Sequence, residues 1–170
     1  AHKLRSESND ILENYAHALE ESGQINEGIA AYHKLVARHP NQQETWTHLG
    51  NLNYSAKRYP DAVKAYQRSL ALNHDQADVW LYQGYALNEE GKYQAAVRSF
   101  EECLKLRPTD EHALSNLGRA YYREKDYAKA DATYRKLLEV KPGDPDALSG
   151  LAGSQLATNK FDEAIVTYQQ

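Results

Sequence analysis

One interval governs this chain: from residue 9 to residue 170 the same kinds of side chain recur every 34 residues. Residues 46–54 read WTHLGNLNY and residues 80–88 read WLYQGYALN. The units are 9–42, 43–76, 77–110, 111–144 and an incomplete 145–170. Their fourth residues are Leu12, Trp46, Trp80, Leu114 and Leu148, and their eighth are Ala16, Gly50, Gly84, Gly118 and Ala152. The seventeenth are Ile25, Tyr59, Tyr93, Tyr127 and Phe161. The twentieth are small again (Gly28, Ala62, Ala96, Ala130, Ala164), and the twenty-fourth always aromatic (Tyr32, Tyr66, Phe100, Tyr134, Tyr168). A period of this length constrains the fold more than composition does, because one short unit cannot bury its own apolar face and must lean on its neighbours.

Within each unit apolar residues recur twice at helical spacing, separated by polar breaks at SGQIN, AKRYP, EEGKY, EKDY and TNKF. Each unit therefore reads as a helix, a tight turn and a second helix. The small columns mark close helix crossings, and the aromatic columns fill the wedge towards the next unit. Pro60 stands at the start of a second helix, where a missing N–H costs nothing. Asn41, Asp75, Thr109 and Asp144 stand where first helices need N-caps. Three residues break the pattern: Asn53 and Gln83, expected to hydrogen-bond each other, and Asp131, for which the sequence suggests no partner.

These residues resemble the tetratricopeptide-repeat family, whose Trp-x-x-Leu-Gly-x-x-Tyr…Ala-x-x-x-Phe…Pro pattern has this length. The resemblance covers 9–170 and leaves 1–8 as an N-terminal extension. It implies an all-α chain, a single right-handed α-solenoid of antiparallel helix pairs with the first helix of each pair lining a concave groove. On that reading Trp46 and Trp80 are core wedges, as are the tyrosines at 15, 32, 59, 66, 93, 121, 127, 134 and 168.

Tyr54, Tyr82, Tyr85 and Tyr122 remain outside the packing columns. Positions 2, 5, 6, 9, 12 and 13 of a unit share one helical face, which the resemblance implies is the groove. Along it the first unit is acidic (Asp10, Glu13, Asn14, His17, Glu20, Glu21), the middle is rich in tyrosine and the fourth carries Arg119 and Arg123. The expected peptide-binding set is His48, Asn51, Tyr54, Tyr82, Tyr85, Asn88, Asn116, Arg119, Tyr122 and Arg123. Tyrosine supplies flat apolar area with a hydroxyl, and asparagine matches a peptide backbone. Two arginines one turn apart suit a carboxylate. The expected partner is thus a protein or peptide segment with an apolar or aromatic anchor and an acidic group. The chaperone-tail clamp of this family is not met, since position 5 is never basic (Glu13, Thr47, Leu81, Ser115, Ser149).

Other chemistries find little support. The net charge of −4 argues against nucleic acid, which needs clustered cations to displace counterions. The apolar runs are far shorter than the roughly 20 residues that span a bilayer. No nucleophile elbow, zinc motif or phosphate-cradling loop is present, so neither catalysis nor a cofactor is expected. His17 and His48 face each other with Glu13 and Glu44 nearby, but two imidazoles alone do not make a metal site, and none is expected. Cys103, the only cysteine, sits in a small-residue column as a buried thiol and fits a reducing compartment, with the cytoplasm as the default location. Opening at Ala1 with no apolar leader fits a processed or excised form. Two alternatives accompany peptide docking. The chain stops inside a second helix without a polar cap, as expected of a self-associating scaffold or homo-oligomer, and the repeats could also target an enzyme domain.

Overall fold

The computed structural model describes residues 2–170, with side chains from Ile11 onward. Asp10, counted on the first groove face, therefore lies outside the described side chains. Ten helices are found among the described residues: α1 (His2–Glu21), α2 (Ile25–Arg38), α3 (Gln43–Ser55), α4 (Tyr59–Leu72), α5 (Ala77–Glu89), α6 (Tyr93–Leu106), α7 (Glu111–Arg123), α8 (Tyr127–Val140), α9 (Pro145–Ala157) and α10 (Phe161–Tyr168). Residues 2–8 are continuous with α1. All five second helices begin at position 17 of the 34-residue frame.

The turn inside each hairpin has one recurrent device. Gly23, Lys57, Gly91, Lys125 and Asn159 all occupy position 15, and all have φ between 58° and 72°. This left-handed residue ends the first helix, so that the next N–H reaches back to a helical carbonyl. Arg58 N donates to Asn53 O at 2.8 Å, and Asp126 N to Tyr121 O at 2.9 Å. Glycine takes that conformation without a Cβ penalty, whereas lysine does not.

Three of the four expected N-caps fall one residue later than the sequence suggested. Asp110, not Thr109, caps α7 by accepting from Ala113 N at 2.9 Å. Asp144 caps α9 as expected, accepting from Ala147 N at 2.9 Å. The preceding first helices start after Gln42 and Gln76, so neither Asn41 nor Asp75 is at the cap. The cap belongs to position 34, and a polar residue one place earlier imitates it in sequence. Lys141 and the Ala147 N–H together hold the Asp144 carboxyl below its ordinary range.

The chain divides into two compact units, residues 1–86 and 87–170. In the first, Ala16, Leu19, Ile29, Tyr32, Leu35, Leu49 and Leu52 form a continuous core. Trp46 is only half-buried there. Its indole N–H donates to Pro40 O at 2.9 Å, and that of Trp80 donates to His74 O at the same distance, each closing the turn between repeats. The tryptophans are thus latches on the loops as well as wedges. In the second unit, Leu114, Leu117, Tyr121, Tyr134, Leu137 and Leu151 are buried. A Cβ on Gly118 would lie 2.7 Å from Tyr134 Cε1, and one on Gly150 only 2.6 Å from the same atom. One ring is therefore clasped between two glycines of successive repeats. In the first unit a Cβ on Gly50 would likewise sit 2.6 Å from Tyr66 Cδ1.

Asp131 has a structural account. Its Oδ1 accepts from Arg135 Nε at 2.6 Å, and Arg135 also reaches Glu163 Oε2 at 3.1 Å, tying α8 to α10. Asn53, buried in α3, donates to Leu49 O of its own helix at 2.8 Å. Tyr15 and Tyr168, expected in the core, are 55% and 60% exposed, because no further hairpin lies against them among the described residues. Cys103 is fully buried.

Two predictions test these devices. Replacing a helical glycine by alanine ordinarily stabilises by about 1 kcal/mol. At Gly118→Ala the Tyr134 ring must move, so the substitution lowers stability by about 1–3 kcal/mol in urea denaturation. Lys125→Gly relieves the left-handed lysine and raises stability by about 0.5–1 kcal/mol in the same measurement.

Candidate functional site

Two of the position-24 tyrosines, Tyr32 and Tyr66, are buried rings whose hydroxyls reach side chains of the first helices. Tyr66 donates to Asn51 Oδ1 at 2.9 Å, and Tyr32 to Glu20 Oε2 at 2.8 Å. Burial pushes the Tyr66 phenol far above its usual range, with the nearby Tyr82 and Tyr54 adding to the effect. For Tyr32, burial acts first and the bonded Glu20 carboxylate reinforces it. Both hydroxyls are therefore donors, and Asn51 spends its carbonyl on Tyr66. Only the NH2 of Asn51 is left to face a ligand.

Beside Asn51, the first unit gathers three of the expected tyrosines. Tyr54 and Tyr82 have ring centroids 6.5 Å apart, and Tyr82 and Tyr85 5.8 Å apart in an edge-to-face arrangement. Tyr59, assigned to the core from sequence, extends this chain, with its ring 5.6 Å from that of Tyr54. Tyr82 is 40% exposed, so the cluster offers an aromatic surface to solvent. His48 does not join it. Its ring stacks parallel on Tyr32 at 5.4 Å and meets His17 at 4.7 Å, while its Nδ1 lies 2.9 Å from Glu20 Oε2. Sequence reasoning set Glu13 and Glu44 beside this histidine pair, but the side chain that arrives is Glu20. Glu13 instead accepts from Gln42 Nε2 at 3.0 Å.

The second unit holds the cationic part. Asn88, Glu89, Tyr93, Arg119 and Arg123 line a cleft of about 250 Å³. Asn88 Oδ1 is buried and has no hydrogen-bond partner among the described residues. Asn116 is committed elsewhere: its Nδ2 donates to His112 O at 2.8 Å, and its Oδ1 accepts from Arg119. It therefore aims Arg119 rather than reading a ligand. Burial raises the Tyr134 phenol to about 12, with the Arg119 charge pulling the other way. Tyr122, 38% exposed, packs its ring 5.2 Å from that of Tyr127 and does not line the cleft. Two lining residues escaped the sequence-derived set. Tyr93 looked like core because it occupies an aromatic packing column, and Glu89, although on the groove face, was passed over in favour of the arginines.

Tandem helical hairpins with a repeating small-residue and aromatic core define an all-α protein-interaction scaffold fold. The chain belongs to the tetratricopeptide-repeat family. Residues 29–139 match the profile described as the cytochrome c-type biogenesis protein H TPR domain. Residues 123–170 and 10–41 match tetratricopeptide-repeat profiles. A crystal structure of MamA is similar over 96% of this chain and 90% of its own, at 23% identity and a TM-score of 0.91. MamA from Desulfovibrio magneticus RS-1 is similar over 95% of this chain and 91% of its own, at 17% identity and a TM-score of 0.85. YrrB, described as a TPR protein with an unusual peptide-binding site, matches over 91% of this chain and 79% of its own, at 18% identity and a TM-score of 0.83. At such identities the likeness establishes the fold. No curated protein sequence matches the chain significantly.

The open acceptor of Asn88 carries a cost that folding does not recover, of about 1–3 kcal/mol for an unsatisfied buried group. Asn88→Leu is expected to raise the thermal midpoint, read by circular dichroism, while leaving helix content unchanged.

Proposed function

We propose that this chain is a non-catalytic docking module that holds an extended peptide segment of a protein partner. The observation carrying this reading is the cleft of the second unit, where an unpartnered Asn88 carbonyl stands with Arg119 and Arg123. A buried acceptor without a donor suits a backbone N–H, and two guanidinium groups suit a carboxylate. Glu89 in the same cleft offsets part of that positive charge and favours a ligand that also brings a donor. In the first unit, the exposed Tyr82 with Tyr54 and Tyr85 is suited to an apolar or aromatic side chain. YrrB, named for a peptide-binding site, shares the fold, which makes the use of such a surface by this chain plausible on architecture as well as chemistry.

Self-association is a second reading, favoured by one observation. On α10, Phe161, Ile165 and Val166 are 56%, 57% and 56% exposed, more apolar surface than a lone helix face usually leaves to water. Sedimentation at several concentrations decides it: a concentration-dependent shift supports self-association, and a constant monomer removes it.

For the docking reading, selection from a random-peptide display library should enrich sequences that combine an aromatic residue with Asp, Glu or a free C-terminus. Arg119→Ala is expected to weaken the enriched peptides by roughly 10-fold, as loss of one charge-assisted bond implies. Tyr82→Ala should weaken them by a similar factor. Unchanged affinity in both variants, or no enrichment at all, overturns the reading.

A further inference from the structure

We infer that His17, Glu20 and His48 form a binding site for a first-row divalent metal ion of the Zn2+ type. It lies in the first unit and is independent of the docking proposal. His17 and Glu20 belong to α1 and His48 to α3, and one ligand atom from each falls within 4.8 Å of the others.

The distances suit coordination better than hydrogen bonding. Zinc binds imidazole nitrogen and carboxylate oxygen at about 2.0–2.1 Å, so the ligand atoms of a tetrahedral ion stand about 3.3 Å apart. Glu20 Oε2 lies 2.9 Å from His48 Nδ1 and 3.9 Å from His17 Nδ1, values on either side of that spacing. At 2.9 Å the His48–Glu20 contact is short enough for a hydrogen bond, yet His48 Nδ1 is buried and has no partner of hydrogen-bond geometry. The Tyr32 hydroxyl ties the cluster together. It donates to Glu20 Oε2 at 2.8 Å and lies 3.1 Å from His17 Nδ1, so one hydroxyl links two of the three ligands.

The surroundings also prepare the site. Tyr32 is a buried ring, and His48 stacks on it at an interplanar angle of 4° while His17 meets it edge-on. Both imidazoles are thereby oriented before any ion arrives. The Tyr32 hydroxyl acts on Glu20 as an outer-sphere donor that fixes the ligating carboxylate. The three side chains keep 51%, 25% and 32% exposure for His17, Glu20 and His48, which gives an ion a way in and leaves a position for water. Two nitrogens and one carboxylate are a donor set for zinc, nickel or copper rather than for calcium or magnesium, which prefer oxygen.

The test is calorimetric titration of Zn2+ into the tag-free chain, with Co2+ absorption to report coordination geometry. One equivalent is expected to bind, with Co2+ giving the intense visible bands of a tetrahedral site. His48→Ala and Glu20→Gln should each weaken binding by at least about 10-fold. Tyr32→Phe keeps the ring and removes only the outer-sphere donor, so a loss of about 10-fold there marks positioning rather than ligation. Circular dichroism of each variant separates a lost site from a lost fold, and His17→Ala, at an exposed position, provides a ligand deletion with little structural cost. No binding at 100-fold excess of metal over protein, or one equivalent retained in the His17→Ala, His48→Ala double variant, overturns the inference.

Discussion

A buried aromatic ring pressed against a residue with no side chain is the contact on which this protein depends. Tyr134 occupies the space that a Cβ on Gly118 or Gly150 would need, and Tyr66 does the same at Gly50. The ring sets how close two helices can come, and its own size leaves no freedom to slide. The contact is found in each unit, at Gly50 in the first and at Gly118 and Gly150 in the second. Stability of such a chain is close to a sum of hairpin and neighbour terms.

The same rings also determine which groove residues remain open to a ligand. A tyrosine in that column is buried except for its hydroxyl, and the hydroxyl needs an acceptor. Tyr66 finds it in Asn51 and Tyr32 in Glu20. Two residues that appear available on a helical wheel are therefore already engaged by the core. Asn116 is engaged as well, holding Arg119. What the internal hydrogen bonds leave over is smaller and more specific: the unpartnered Asn88 carbonyl, the guanidinium groups that line the same cleft, and the tyrosine surface of the first unit. The docking surface we propose is this remainder.

Near α1 and α3 the Glu20 carboxylate and the rings of His17 and His48 gather round the Tyr32 hydroxyl. Elsewhere in the chain surplus charge is met by a partner of opposite sign, as when Arg135 bridges Asp131 and Glu163. At the histidine cluster the closest contact, His48 Nδ1 to Glu20 Oε2, is one that a hydrogen bond does not explain. The inference of a metal ion and the inference of a peptide ligand therefore rest on the same kind of observation, an unmet polar demand at a defined place.

The amino-acid sequence alone determined the period, the helix pairs, the start of every second helix at position 17 and the small and aromatic columns, because these follow from apolar spacing along one chain. It also identified the tyrosines and arginines that packing leaves over. Tertiary structure decided the rest, because those outcomes depend on groups that meet across helices. The N-caps moved to position 34 since a cap is set by where the backbone turns, and neighbouring polar residues look alike in sequence. Lys57 and Lys125 share a left-handed turn with glycines, which residue type does not disclose. Glu20, rather than Glu13 or Glu44, meets the histidines because the Tyr32 hydroxyl, arriving from another helix, holds it there.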